Sequence, residues 1–282
     1  VKLLGPATVR RCFIADPGMS IFTADYDQIE LRVIAGLAGE QSMIDAAKRG
    51  ESLHKLAATR LFGEDYSPDQ YTSSKNINFT FAFGGSAGTM TERYGIPYAE
   101  AVKLVADYKQ SFPALTSFAR REQEAILRSA LSSEEYKIYK ILLQRMFAFR
   151  NDTQEGKAAR KAVQLEIKRL CYRKIGYATT PFGRRLIVDA EKPYTVVNYK
   201  VQSSAADIMK RGLLDLRKDP ELWPTVLLVI HDEALGQGPK KKAQYLADRY
   251  AEVMTTEFMG VPITASGKVY GRSWGHGYLQ KV

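Results

Sequence analysis

Asp25 and Asp232 each follow a run of β-branched and apolar residues, Ser20-Ile21-Phe22-Thr23-Ala24 before the first and Thr225 to Ile230, then His231, before the second. Two carboxylates far apart in sequence, each at a strand end, are what a site for two divalent cations needs, because folding can bring both to one sheet edge. Such a pair performs phosphoryl transfer: one ion sharpens the attacking hydroxyl and the other neutralises the phosphates and the leaving group, the ions standing roughly 3.5 to 4 Å apart. Magnesium takes oxygen ligands, so none of the three histidines is needed for it. Strand position alone also describes two ordinary turn-forming aspartates.

The elements that must position these residues can be read from periodicity and breakers. Val9 to Ala15, a turn at Asp16-Pro17-Gly18 and a buried strand from Ser20 to Asp25 lead into Ile29, Val33, Ile34 and Leu37 at helical spacing. From about Ser42 to Lys174 the pattern is helical, with breaks at Gly63, Gly95-Ile96-Pro97 and Phe112-Pro113. Tyr177 to Val188 reads as extended, and Tyr194 to Arg217 as one long helix stopped by Asp219-Pro220. Thr225 to Ile230 reads as a buried β run returning through Glu233 to Gly236. A helix from about Lys240 to Met259 and an extended stretch from Pro262 to Val269 complete the alternation. The fold class is α+β.

Composition narrows the partners. Apolar residues make up 45% of the 282, and 41 basic against 31 acidic residues leave a net charge of +10, which suits a phosphate-rich partner. Cys12 and Cys171 stand alone, as expected of reduced thiols in a cytoplasmic or other reducing compartment. No apolar run reaches the roughly twenty residues of a membrane span, so no membrane partner is expected.

Asp25-Tyr26-Asp27-Gln28-Ile29-Glu30-Leu31-Arg32 resembles the first palm motif of the family A DNA polymerases, usually written Asp-Tyr-Ser-Gln-Ile-Glu-Leu-Arg. Lys75-Asn76-Ile77-Asn78-Phe79, followed by Phe83-Gly84, resembles that family's fingers helix, and Val229-Ile230-His231-Asp232-Glu233 its last palm motif. Between them, Gly183-Arg184-Arg185 and the segment Asn198 to Asp207 resemble its DNA-contacting palm segments, all in the family's order. The resemblance implies a palm with a small antiparallel sheet backed by helices, plus a helical fingers subdomain, with the thumb absent. Palm would run over 1–40 and 177–282, and fingers over 41–176 with an insertion around 120–170.

The resemblance also assigns roles. Asp25 and Asp232 would hold two Mg2+ ions with the Tyr26 carbonyl as a further donor, and Glu233 would lie near them. Lys75 would neutralise triphosphate charge and protonate departing pyrophosphate, and His54 would meet the triphosphate as well. Gln28 belongs with the nucleotide-binding residues. Glu30 matches the steric gate against ribose, and Phe79 the position that senses the sugar's other hydroxyl. Arg184, Asn198, Gln202 and His231 would reach primer-template DNA, His231 at the primer terminus, interrupting the buried β run. The implied reaction is attack of a primer 3′ hydroxyl on a deoxynucleoside triphosphate with release of pyrophosphate, by a monomer that accessory replication proteins assist. A binding module without turnover and a two-metal nuclease are the competing readings.

Four departures stand out. Tyr71 replaces the family's usual triphosphate arginine, so that either Arg60 or Arg93 substitutes for it or nucleotide affinity is lower. Phe83 stands where a tyrosine usually anchors the gate glutamate. The stretch from Pro113 to Gly183 is longer than usual and rich in cations: Arg145, Arg150, Lys157, Arg160, Lys161, Lys168, Arg169, Arg173 and Lys174. Proofreading and flap-removing nuclease segments have no counterpart. These departures suggest a phage or phage-like source.

Overall fold

The computed structural model describes residues 9–82, 85–150 and 153–276. The chain opens with β1 (Met19–Tyr26), α1 (Ile29–Ala38), α2 (Gln41–Lys48), α3 (Leu53–Phe62) and α4 (Pro68–Ala82). Five further helices follow: α5 (Ala87–Tyr94), α6 (Tyr98–Ser111), α7 (Pro113–Ala130), α8 (Ser133–Ala148) and α9 (Gln154–Cys171). Then come β2 (Ile175–Thr179), β3 (Arg185–Asp189), α10 (Thr195–Lys218), β4 (Val226–Ile230) and β5 (Glu233–Pro239). The chain ends in α11 (Ala243–Met254), β6 (Thr256–Phe258), β7 (Val261–Ile263) and β8 (Ala265–Gly271). Two compact units divide these elements, one of residues 1–36, 43–53 and 205–282, the other of 37–42 and 54–204.

The first unit is organised by β1, the inner strand of an antiparallel sheet ordered β4-β5-β1-β8. Its side chains alternate between the two faces, and both faces are covered. Phe22 and Ala24 are fully buried toward α11, where the Phe22 and Tyr250 rings meet edge to face with centroids 5.0 Å apart. Ile21 points the other way, into a cluster with Ala15, Leu235 and Trp274. Helix α11 can approach the sheet closely because β8 carries Gly267, where a Cβ would stand 2.7 Å from the Ala247 backbone. Mixed α and β structure with a small antiparallel sheet backed by helices is therefore what the sequence folds into.

Two expectations in this unit need correction. The apolar run Thr225 to Ile230 was expected to be buried, but β4 is the sheet's edge, its residues are mostly half-buried, and Leu227 is 50% exposed. Apolar composition alone cannot separate an edge strand from a central one. The helix expected over 240–259 ends at Met254, because 256–258 and 261–263 pair as a hairpin turned by Met259 and Gly260, both at positive φ.

The second unit is helical apart from the two-stranded ribbon β2–β3. Its core gathers Leu104, Tyr108, Phe112, Leu115 and Phe118, all buried. The buried Tyr108 hydroxyl donates to Asn78 Oδ1 at 2.7 Å, joining α6 to α4. Glu40, 5% exposed, accepts from the Ala114 N–H and the Ser42 hydroxyl, placing a carboxylate at the positive end of α7. Helices α8 and α9 pack along each other, and Leu127, Leu131, Cys171 and Ala190 form a small core with Tyr136, Tyr139 and Ile167 packed against it.

A close approach in the first unit gives a direct test of packing. A Cβ at Gly212 would lie 2.6 Å from the Tyr26 hydroxyl, which donates to the Met254 carbonyl at 2.8 Å. Gly212→Ala is expected to destabilise by about 1–3 kcal/mol in urea unfolding. Combined with Tyr26→Phe, which removes the oxygen it strikes, the same substitution should cost clearly less; simple additivity would refute this packing account.

Candidate active site

Antiparallel register sets one row of residues across the sheet: Ile230 opposite Glu233, Glu233 opposite Asp25, and Asp25 opposite Ser266. Directly opposed residues share a face, so Asp25 and Glu233 stand side by side. Asp232 lies in the two-residue turn between β4 and β5, with His231 held at φ 57°. The Tyr26 N–H donates to the Asp232 carbonyl at 3.2 Å, which binds this turn to the end of β1. His231 Nδ1 sits 3.1 Å from Asp232 Oδ1.

The carboxyl of Asp25 is open to water on one side, yet its pKa is raised from 3.8 to about 7, by burial against the sheet and then by the charges of Asp232, Glu233 and Asp27. Glu30, half-buried on the first turn of α1, is raised as well; burial dominates, and His231 and Asp232 act on it in opposite directions. Five residues expected to act together, Asp25, Glu30, His231, Asp232 and Glu233, are thus electrostatically coupled in one unit. Asp25, Asp27, Asp232 and Glu233 line a cleft of about 470 Å³ that also receives Arg10 and Lys268.

Tyr26 turns away from this cleft, 2% exposed, with its hydroxyl on the Met254 carbonyl. Gln28 takes φ 53° at the corner between β1 and α1, and the Ser52 hydroxyl lies 3.5 Å from its Oε1. Two residues of this corner carry more than their sequence context suggests. Asp27 accepts from the Thr264 hydroxyl at 3.0 Å and from the Ser266 hydroxyl at 2.8 Å. Arg32, 4% exposed, donates to the Asp27 carbonyl at 2.7 Å and the Pro262 carbonyl at 2.6 Å. Asp27 could have been noticed as an extra acid in Asp-Tyr-Asp; the long-range partners of Arg32 leave no local signal.

In the second unit, Tyr71, Lys75 and Phe79 recur at every fourth position and share one face of α4. The Lys75 ammonium lies over the Tyr71 ring, 4.5 Å from its centroid. Tyr71 therefore supports Lys75 by cation–π attraction where the resembling motif has a second cation. His54, 8% exposed on α3, packs its ring 5.4 Å from that of Phe79. Burial and then the Lys75 charge lower the His54 pKa to about 4, so it is neutral at pH 7. Phe79, Arg93, Tyr94 and Asn198 line a cleft of about 580 Å³. Gln202 follows Asn198 by one turn of α10 and is exposed. Arg184 is exposed in the β2–β3 turn, where its N–H donates to the Thr180 hydroxyl. Phe83 lies outside the described residues.

The donor chemistry of the carboxylate cleft fits a hard divalent cation. Burial and then crowded like charges raise Asp25, which calls for a positive partner, and all the candidate donors are oxygens. Among the described residues no group of three or more His, Cys, Asp or Glu side chains could hold a metal alone.

Comparison with known proteins places these features in a family. The DNA polymerase of Mycobacterium phage D29 is 32% identical over 273 residues, covering 96% of this chain and 37% of that protein. The thermostable DNA polymerase I of Thermus aquaticus is 30% identical over 281 residues, covering 94% of this chain and 28% of that protein. The chain therefore spans little more than a third, or less, of the length of these relatives. Among solved structures, the POL domain of Pol1 from M. smegmatis, in complex with DNA primer-template and dNTP, matches with a TM-score of 0.70 at 23% identity, over 98% of this chain and 44% of that one. The family model of DNA polymerase family A matches residues 5–276, a span that takes in both acidic strand ends and the helix bearing Lys75, and the chain belongs to that family.

Proposed function

We propose that this chain carries the polymerising centre of a template-directed DNA polymerase, in which a primer 3′ hydroxyl attacks the α-phosphate of a deoxynucleoside triphosphate. The observation that carries the reading is the tie between Asp25 and Asp232: strands remote in sequence are joined at Tyr26, and burial, together with the carboxylates they bring together, raises the pKa of Asp25. In this reading the first unit holds the palm chemistry and the helices of the second the fingers, and primer-template DNA and deoxynucleotides are the partners, as in the solved M. smegmatis complex. Asp25 and Asp232, with the Tyr26 carbonyl, would hold two magnesium ions. Bound there, these would lower the pKa of the 3′ hydroxyl and neutralise the triphosphate.

The protein's own groups do the rest. Lys75 takes up phosphate charge and is the proton donor for pyrophosphate, while neutral His54 offers a hydrogen bond without adding charge. Glu30 holds the deoxyribose and refuses an extra hydroxyl. Arg184, Asn198, Gln202 and His231 contact DNA without reading its sequence. A nuclease would need the carboxylates but would leave the Tyr71, Lys75 and Phe79 stripe without a task.

Primer extension with magnesium should be robust, and Asp232→Asn should reduce it on the order of 10³-fold while primer-template binding persists; retained extension would reject the site. At pH 8 in a chelator, Asp25→Asn is expected to raise the melting temperature, because it removes a charge disfavoured by burial and by three neighbouring acids. Magnesium should then raise the melting temperature of the unaltered chain but not of this variant. Phe79→Tyr should improve incorporation of dideoxynucleotides on the order of tenfold, the worth of one added hydrogen bond; an unchanged ratio of dideoxy to deoxy incorporation would exclude Phe79 from sugar recognition.

A further inference from the structure

Seven cations of the α8–α9 pair and its ends fall into two groups. Arg145 lies 3.7 Å from Glu166, Arg160 donates to the Phe149 carbonyl, and Lys174 pairs with Glu135. These hold the helices together. Lys157, Lys161 and Arg169 make no ion pair among the described residues, and Lys168 reaches only Glu191, at 4.0 Å.

The second group is ordered in space. Lys157, Lys161, Gln164 and Lys168 follow at the 4, 3 and 4 residue steps that put them on one face of α9, and Arg169 lies roughly 100° farther round, at the hollow it shares with Leu165, Lys168 and Tyr172. All five are exposed, while Val163 and Cys171 are buried. From Lys157 to Lys168 this face runs about 16 Å at 1.5 Å per residue. Glu155 and Glu166 fall about half a turn from the three lysines, given 3.6 residues per turn. A face kept merely soluble mixes both signs; the face of Lys157, Lys161 and Lys168 carries a single sign. At its C-terminal end Leu165, Lys168, Arg169 and Tyr172 form a shallow hollow, and Leu165 and Tyr172 are more than half exposed. An aromatic and an aliphatic side chain set among cations suit the sugar and phosphate of a nucleic-acid backbone.

The helix also leads directly into β2, and the Lys168 to Glu191 contact places its last turns beside the residues that follow β3. The ribbon between carries Arg184 at its turn and presents Tyr177 and Ile187 outward, with the Arg185 guanidinium 3.9 Å from the centre of the Tyr177 ring.

We infer that the outer face of α9, through Lys157, Lys161, Lys168 and Arg169, is a second docking face for the phosphate backbone of duplex DNA, extending the ribbon that bears Arg184. The inference rests on the polymerase reading and adds a sequence-independent grip to it. The test changes all four residues to Gln, which keeps helix propensity, and measures duplex affinity across salt concentrations beside a version with the three lysines changed to Arg. The slope of log affinity against log salt should become shallower by about 0.9 for each phosphate no longer neutralised, so by about 2 to 4 in total. The arginine version should keep the original slope, and extension at saturating primer-template should stay the same in both. An unchanged slope, with binding and extension intact, overturns the inference and leaves the polymerase reading standing. If the unaltered chain neither binds nor extends primer-template, the polymerase reading fails and this inference falls with it.

Discussion

Carboxylates gathered at the end of β1 repel one another, and the first unit is built so that they stay together. The strand cannot recoil, because it is laddered on both edges and covered on both faces. Its turn partner cannot drift, because the Tyr26 N–H holds the Asp232 carbonyl. Apolar packing supplies the free energy, from the Phe22–Tyr250 contact on one face and the Ile21, Leu235 and Trp274 cluster on the other. The local electrostatic cost is borne by a sheet whose stability lies elsewhere, which is how strained functional groups persist in folded proteins.

The helical unit meets a milder demand with different means. It must keep an exposed lysine, an aromatic ring and a buried imidazole in fixed relation. Packing behind them does this: Ser74, Ile77 and Asn78 are buried on α4, and the buried Tyr108 hydroxyl grips Asn78. Some polar groups buried in this unit are matched pairwise, Asn78 with Tyr108 and Glu40 with the start of α7, while the buried Tyr136 and Ser204 hydroxyls make no hydrogen bond among the described residues.

Much of this was legible in the sequence where local chemistry dictates it. Gly63, Gly95 and Pro113 end or begin helices where their backbone preferences require, and the aspartates stand at strand ends as the β-rich runs foretold. What was not legible depends on partners distant in the chain. The run from Thr225 reads as a buried strand because it is apolar, and only the sheet order shows that, among the described residues, no strand lies beyond it. Arg32 looks like a surface cation until Pro262 is folded against it. Tyr71 reads as the loss of a phosphate clamp, whereas its ring supports Lys75. Nine cations in one stretch read only as a cation-rich insertion; three of them are occupied within the fold, and Lys157, Lys161 and Lys168 share one face of a helix.

Tyr26 shows how side-chain identity can be retained for the sake of a main-chain atom. The proposed chemistry asks of this residue only a carbonyl oxygen, which every amino acid has. Yet its ring is buried and its hydroxyl is moored to the end of α11, so the side chain determines where that oxygen stands. Selection at this position would therefore act on an anchor rather than on a reagent. A survey of variants would find it as intolerant of change as the aspartate before it, for a mechanical rather than a chemical reason.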